Sequence, residues 1–539
     1  MGSDQHSRGN ESAGRDIWNE FIPLGEWGPL VDEYLVDPAK GPIINIAPPE
    51  VDDREYDAIF IGGGAAGRFG SAFLRARGGR QLVIDKWPFL GGSCPHEACV
   101  PHHVFSEAAR MLDYARIMSN KYWNEDYENV KKRASILEIR DGFLRTRGSA
   151  HGIMNFQSKE QLNMEYILNA EAKVIDKNTV QAAGRTFKCK NLVLAVGARP
   201  TPPDVPGTTL KGVVNFHSML DPAWLDFEPN KCVVIGGGKT AIEYGSFFQA
   251  TGCGTTILTR SQLMRTKGLI HVDEDMRLWV ENAMKRRGID IQDDVEPVSI
   301  NGESRVESVT YRNMTTKQEF TVDCDMVFLG TGERPLSDQF EVLGMDLDEK
   351  GHIIVDATMQ TSVPGVYACG DMIPGPREMF KARKSGVTAA RNIMGEHIEY
   401  VFEDYPDFLH STYEVVWTGL SEAEARAQYA NVVTIKLPPD GVDPKDCALP
   451  VGDGSMFFAL EGNGENGLLK SVIDADSRRV LGLQFVAFGV RNAFQYLDYL
   501  LRMPGGFTAD QMADVNELFL NEGYPQLHRL RVGGPLRDL

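Results

Sequence analysis

Cys94 and Cys99 frame the run Gly91-Gly92-Ser93-Cys94-Pro95-His96-Glu97-Ala98-Cys99, a short way beyond Gly62-x-Gly64-x-x-Gly67. The glycine pattern has the make-up of a dinucleotide turn. Gly62 permits a tight turn, Gly64 lets the backbone approach a pyrophosphate, and Gly67 lets the following helix pack closely on its strand. The N-terminus of that helix favours negative charge. Asp85, at the end of the next strand, is of the type that accepts from ribose hydroxyls. A dithiol this close to such a turn is placed to exchange electrons with a bound flavin. A helix start at the cysteines would favour a thiolate. Zinc is the competing chemistry, with His96, His102 and His103 nearby, but structural zinc sites usually use closer cysteine spacing and a second pair.

A second fingerprint, Gly236-x-Gly238-x-x-Ala241, follows downstream. Its second strand ends in Thr259-Arg260, where an acid would accept from the 2′-hydroxyl of NAD. Arg260, helped by Arg265 or Lys267, would instead pair with a 2′-phosphate, which favours NADPH. The alternative is a solvated basic loop.

The elements that must hold these groups are readable. Tyr56 to Ile61 reads as a buried strand, Ala65 to Arg77 as a helix and Gln81 to Asp85 as a strand, a βαβ start. Cys232 to Ile235, Lys239 to Ala250 and Thr255 to Thr259 repeat it. Asn191 to Gly197, Met326 to Gly332 and Val366 to Asp371 read as strands ending in glycine turns, where the chain passes between nucleotide domains. Alternating runs at Asn431 to Lys436 and Leu468 to Ile473 suggest an antiparallel sheet with flanking helices. The expected class is α/β: two Rossmann-like three-layer domains and a C-terminal α+β interface domain. The boundaries are an N-terminal extension over 1–54, partly ordered by Trp18, Phe21 and Trp27; a flavin domain over 55–205 and 331–404; a nicotinamide domain over 206–330; and the interface domain over 405–539.

The bulk numbers agree with this. A chain of 539 residues exceeds one core. A formal net charge of -19 leaves no excess of cations to neutralise nucleic acid phosphates. No apolar stretch approaches the roughly 18 residues of a membrane span, no secretory signal is evident, and the scattered cysteines are not a secreted disulfide framework. A cytoplasmic protein with one catalytic disulfide fits best.

The two fingerprints, the Cys94/Cys99 pair and Gly370-Asp371 occur in the order of the flavin-dependent pyridine nucleotide-disulfide oxidoreductases, which the chain resembles over about residues 55 to 539. The resemblance implies a glutathione reductase-like fold, FAD on the first fingerprint with Asp371 at its ribityl chain, NADPH on the second, and a homodimer. It implies that Cys99 is the flavin-side sulfur and Cys94 the interchange thiol. Glu243 matches the family's glutamate near the flavin. Its usual lysine partner is absent, because the chain reads Cys99-Val100-Pro101-His102-His103.

A larger departure lies near the C-terminus. Ordinary members carry His-Pro-Thr and a later Glu, a pair that protonates the leaving group. Here Phe519 takes the histidine's place and Tyr524 the glutamate's, and phenylalanine cannot deliver a proton. The chain also resembles carboxylating members of the family, which act on ketopropyl coenzyme M. The shared runs include Arg54 to Ile61, Gly67-Arg68-Phe69-Gly70, Trp87 to His96, His151-Gly152-Ile153-Met154-Asn155-Phe156 and Met379-Phe380-Lys381-Ala382-Arg383. That resemblance implies attack of Cys94 on a thioether, release of an enolate and its capture by CO₂ to give acetoacetate. It places Arg68 and Arg383 on a sulfonate, Met379 by the keto group, and His96, His151, Phe519 and Tyr524 around the reacting carbon. Read alone, Arg68 is a solvated helix arginine. The carboxylating relative has His where Tyr524 stands and Asn where Glu97 stands, so Glu97 adds negative charge between the cysteines.

Overall fold

The computed structural model describes residues 48–121, 134–402, 405–412, 414–437, 467–487 and 490–511. Nearly all of the expected extension therefore lies outside the described residues, as do Phe519 and Tyr524.

The first sheet grows from β1 (Tyr56–Ile61), which is buried almost throughout. A strand without alternation fits a parallel sheet covered on both faces. It leads through α1 (Ala65–Ala76) to β2 (Gln81–Ile84), parallel to β1 with Ile59 opposite Leu82. β3 (Glu165–Ile167) extends the sheet beyond β2. β4 (Lys173–Asp176), β5 (Thr179–Ala182) and the first half of β6 (Arg185–Leu194) form an antiparallel ribbon. The second half of β6 lies parallel to β1 and carries the late strand Val366–Ala368 on its other side. Segments 55–205 and 331–404 thus both supply strands to this sheet.

Three helices frame the cysteines. Cys94 lies in α2 (Ser93–His96), Cys99 opens α3 (Cys99–Lys121), and α4 (Ile136–Phe156) passes into a π-helical turn, Gln157–Gln161. Sequence reading gave one helix following Gly91-Gly92. The structure has two, broken at Glu97, whose backbone (φ -139, ψ -19) departs from helix.

The second sheet is wholly parallel. It comprises β7 (Val213–Val214), β8 (Lys231–Ile235), β9 (Gly254–Leu258), β10 (Asp290–Gln292) and β11 (Met326–Leu329), in the order β10-β9-β8-β11-β7. Helix α5 (Lys239–Thr251) follows β8. A small antiparallel sheet, Val295–Asn301, Ser308–Asn313 and Glu319–Asp323, sits beside it. Helix α6 (Met379–Ile393) then packs on α1.

The last sheet is antiparallel. β12 (Asp407–His410), β13 (Glu414–Gly419), β14 (Val432–Leu437), β15 (Leu468–Asp474) and β16 (Val480–Ala487) run in the order β12-β13-β16-β15-β14. Among the described residues, no helix is long and apolar enough to cross a membrane.

Candidate functional site

The first fingerprint is a turn that only glycine fits. Gly62 has φ +98, and a Cβ there would lie 2.4 Å from the Ala195 carbonyl oxygen. A Cβ on Gly67 would lie 1.9 Å from the Gly62 carbonyl oxygen, so the start of α1 rests directly on the turn. Gly64 precedes α1 and meets nothing closer than Gly92 Cα at 3.7 Å, which keeps the approach to the helix N-terminus open. Asp85 accepts from the Gly63 amide at 2.5 Å and the Trp87 amide at 2.8 Å. Burial raises its carboxyl above the usual range, and these two amides oppose the rise. Each oxygen keeps a lone pair for a ribose hydroxyl. Asp371 Oδ1 is buried with no hydrogen-bond partner, and burial pushes its carboxyl up to about 6 against the pull of Lys381. An orphaned buried acceptor beside an open glycine cradle fits a hydroxyl-rich chain such as the ribityl of FAD.

The redox loop is docked on this cradle. The Gly91 amide donates to the Gly63 carbonyl at 2.8 Å, and a Cβ on Gly92 would strike Gly64 Cα at 2.6 Å. From there the chain turns into α2 and delivers Cys94 to Cys99 across the break. Helix starts favour thiolates, but at Cys99 other effects win. Contact with Cys94, burial, and the carboxylates Glu378 and Asp371 raise its thiol well above the ordinary value.

His96 is fully buried. Its Nε2–H donates to the Leu90 carbonyl at 2.9 Å, and its ring meets the Trp87 ring edge-on at 5.0 Å. Burial pulls its imidazole down to about 4, so it is neutral at physiological pH. Glu97 is also buried, and its charge is matched. Its Oε2 lies 2.7 Å from His217 Nδ1. Burial alone would raise this carboxyl, but His217, Arg199 and Arg147 outweigh it and hold it below the usual range. Arg147 on α4 donates to the His96 carbonyl at 3.1 Å, and burial draws its guanidinium down to about 9. The added negative charge expected between the cysteines is thus met by His217, Arg199 and Arg147, which come from three other segments.

Arg68 is buried, not solvated, with 8% of its surface exposed. Its Nε donates to Ser158 Oγ and its NH2 group to Gln157 Oε1, both at 3.0 Å. Both acceptors stand on the π-helical turn, a feature frequent at functional sites. No carboxylate among the described residues pairs with Arg68, and burial lowers its guanidinium pKa. Arg383 is exposed and approaches the Phe69 ring at 5.9 Å, while Arg68 approaches the same ring at 5.8 Å. The close packing of α1 on α6 brings the two together: a Cβ on Gly70 would lie 2.6 Å from the Gly386 carbonyl oxygen. Met379 opens α6 and is partly exposed. His151 belongs to α4, but its side chain lies outside the described residues.

The second fingerprint repeats the first. Gly236 has φ +141, and a Cβ would meet the Gly330 carbonyl oxygen at 2.4 Å. Gly238 precedes α5 with nothing nearer than 3.5 Å, so this cradle too is open to a pyrophosphate. Arg260 is exposed just past β9, with no ion-pair partner among the described residues. Arg265 differs from expectation. Its guanidinium is paired with Glu274, and NH1 donates to the Val272 carbonyl at 3.0 Å, while the Lys267 side chain lies outside the described residues.

Glu243 on α5 has a partner after all. His102 Nε2 lies 2.9 Å from its Oε2, while the His410 amide donates to Oε1 at 2.6 Å. Sequence reading missed this pair because it looked for lysine. The missed partners Ser158 and Gln157 directly follow the quoted run His151 to Phe156, which was the available signal.

The family model of pyridine nucleotide-disulphide oxidoreductases matches residues 56–386, and that of the family's dimerisation domain matches residues 405–516. Dihydrolipoyl dehydrogenase of Geobacillus stearothermophilus is 25% identical over 85% of this chain and 92% of its own length. Mercuric reductase of Bacillus cereus is 25% identical over 80% of this chain, which spans 64% of that longer protein. The solved structure of the HOCl-induced flavoprotein disulfide reductase RclA from Escherichia coli aligns with a TM-score of 0.72 and 19% identity, over 88% of this chain and 99% of that one.

Proposed function

Because the chain belongs to the pyridine nucleotide-disulphide oxidoreductases, enzymes that use FAD and NAD(P)H, we propose that it is an NADPH-dependent member that cleaves a thioether through Cys94 and carboxylates the product, with 2-ketopropyl coenzyme M as substrate. The observation that carries this reading is Arg68. A buried guanidinium with only neutral partners is costly unless an anion completes the site. Arg383 adds a second cation across Phe69, and two guanidiniums suit a sulfonate.

The bound cofactors supply two electrons as a hydride. The chain's own residues do the rest in this reading. The Cys94 sulfur attacks the thioether sulfur, a carbon–sulfur bond breaks, and the bonding pair leaves as the enolate. A mixed disulfide between Cys94 and coenzyme M remains. The enolate takes up CO₂ to give acetoacetate. Cys99 then displaces coenzyme M as a thiol and closes the Cys94–Cys99 disulfide for reduction. Phe519, in the place of the family's acid, withholds a proton from the enolate and excludes water. His96 shapes the loop through Leu90, while Tyr524 and His151 complete the proposed pocket. Arg260 selects the 2′-phosphate of NADPH. The family's dimerisation domain supports a homodimer.

The test supplies NADPH-reduced holoenzyme with ketopropyl coenzyme M and labelled bicarbonate. Labelled acetoacetate and coenzyme M are expected. Acetone in place of acetoacetate would mean cleavage without carboxylation, and no release of coenzyme M would leave a disulfide reductase. Replacing Phe519→His should raise the acetone share. Replacing Arg68→Met should raise KM for the sulfonate about 10- to 100-fold, the loss expected for charge-assisted hydrogen bonds.

A further inference from the structure

The loop that follows β9 is built against the second fingerprint. The Met264 amide donates to the Gly237 carbonyl at 3.1 Å, and a Cβ on Gly238 would lie 3.5 Å from Thr266 Oγ1. The loop therefore borders the cradle proposed for the pyrophosphate. It also doubles back on itself. The Arg265 amide donates to the Gln262 carbonyl at 3.0 Å, and Ser261 Oγ reaches the Arg265 carbonyl at 3.5 Å. Arg260 and Arg265 thus leave the backbone at the two ends of one tight turn. Their side chains differ. Arg260 is exposed. Arg265 is drawn towards the helix Glu274–Arg286, where its guanidinium contacts Glu274 and holds the Val272 carbonyl at 3.0 Å. Glu274 does not depend on Arg265 alone. Arg277, one turn further on, donates to Glu274 Oε1 at 2.6 Å and to Oε2 at 3.1 Å. Release of Arg265 would therefore leave Glu274 paired. The Arg265–Glu274 pair is itself open to water, with 25% and 53% of the two side chains exposed, and such pairs are weak. A phosphate carries more charge than a carboxylate and takes a guanidinium in the same two-pronged way.

From this geometry we infer that Glu274 is a specificity-determining residue: it holds Arg265 as an internal stand-in for phosphate, and the 2′-phosphate of NADPH takes the guanidinium from it. The inference rests on the NADPH reading above, but not on carboxylation, and it names the residue that sets how strong the NADPH preference is. Arg260 meets the phosphate without giving up a partner. Arg265 exchanges one anion for another, and Glu274 stays with Arg277. NADH carries a hydroxyl at that position, offers Arg265 no anion and leaves the pair closed. The cost of opening the pair falls on NADPH alone, which narrows the margin between the two nicotinamides.

The test is calorimetry on FAD-loaded protein with two probes, adenosine 2′,5′-bisphosphate and 5′-AMP, which lacks only the 2′-phosphate. It compares wild type, Glu274→Gln, Arg265→Met and the double variant. Glutamine keeps the size of the side chain and an acceptor for Arg277 but gives up the charge, at a position that is half exposed. Glu274→Gln should bind the bisphosphate about 5-fold more tightly than wild type, the worth of one exposed ion pair. Its affinity for 5′-AMP should not change, which also reports an intact cradle. KM for NADPH should fall by a similar factor while KM for NADH stays. In the Arg265→Met background the same substitution should do nothing. A Glu274→Gln protein that binds the bisphosphate no better, or less well, would overturn the inference, because Glu274 would then aim Arg265 and not withhold it. A gain that survives Arg265→Met would overturn it as well, since loss of any nearby negative charge would explain it. Indifference to the 2′-phosphate in both wild type and Glu274→Gln would instead sink the NADPH reading itself.

Discussion

His96 and Arg68 show how far a single side chain depends on what surrounds it. His96 stands between the cysteines in sequence, yet it is held neutral in the interior, with its imidazole drawn to about 4 from an ordinary 6.5. A histidine lowered in this way binds fewer protons folded than unfolded. Its stabilising effect is complete above the unfolded value and is lost as pH falls from 6.5 towards 4. The loss amounts to about 3 kcal/mol. Denaturant midpoints of wild type and His96→Gln, measured at neutral pH and near the His96 midpoint, should show the smaller acid-induced drop in the glutamine protein. Equal drops in both would mean that His96 does not govern acid lability. Arg68 is the converse case, a permanently charged group kept in the interior with neutral company.

The α1–α6 contact works at the scale of elements. Gly386 allows the two helices to touch, since a Cβ there would lie 2.1 Å from the Ala66 carbonyl oxygen. Gly386→Ala should force them apart, cost about 1–3 kcal/mol as overpacking does, and move Arg383 away from Arg68. Thermal melting should fall and KM for a sulfonate should rise together; a normal KM with a lowered melt would separate packing from anion binding. Much at this scale was legible from sequence. The glycine turns were, because positive φ and close approach permit no other residue, and so were the buried strands β1 and β8. The break between α2 and α3 was not, because it depends on Glu97 reaching His217, 120 positions away in the chain. The same holds for His102 with Glu243 and for Arg68 with Gln157 and Ser158. Pairing across elements has no periodic signature in a single sequence.

At the scale of the molecule, Lys239 joins three parts. It opens α5 on the second fingerprint, pairs with Glu378 just before α6 at 2.6 Å, and contacts Asp407 at the start of the last sheet. Burial raises the Asp407 carboxyl to about 7, with Lys239 opposing the rise. Lys239→Met would strand two acids and should destabilise the protein by about 3–5 kcal/mol, whereas adding Asp407→Asn should recover part of that. Limited proteolysis of the last sheet would report both effects, and a single variant as resistant as wild type would exclude the docking role. Glu97 spans a comparable distance, with a different result. Its carboxylate is anchored to His217, in the segment between β7 and β8. The loop of the two sulfurs therefore cannot open unless a buried acid is unpaired or residue 217 is drawn from its seat. Breathing of the second sheet and separation of the sulfurs become a single thermodynamic event, so slow amide exchange between positions 94 and 99 would be governed by a domain to which neither cysteine belongs.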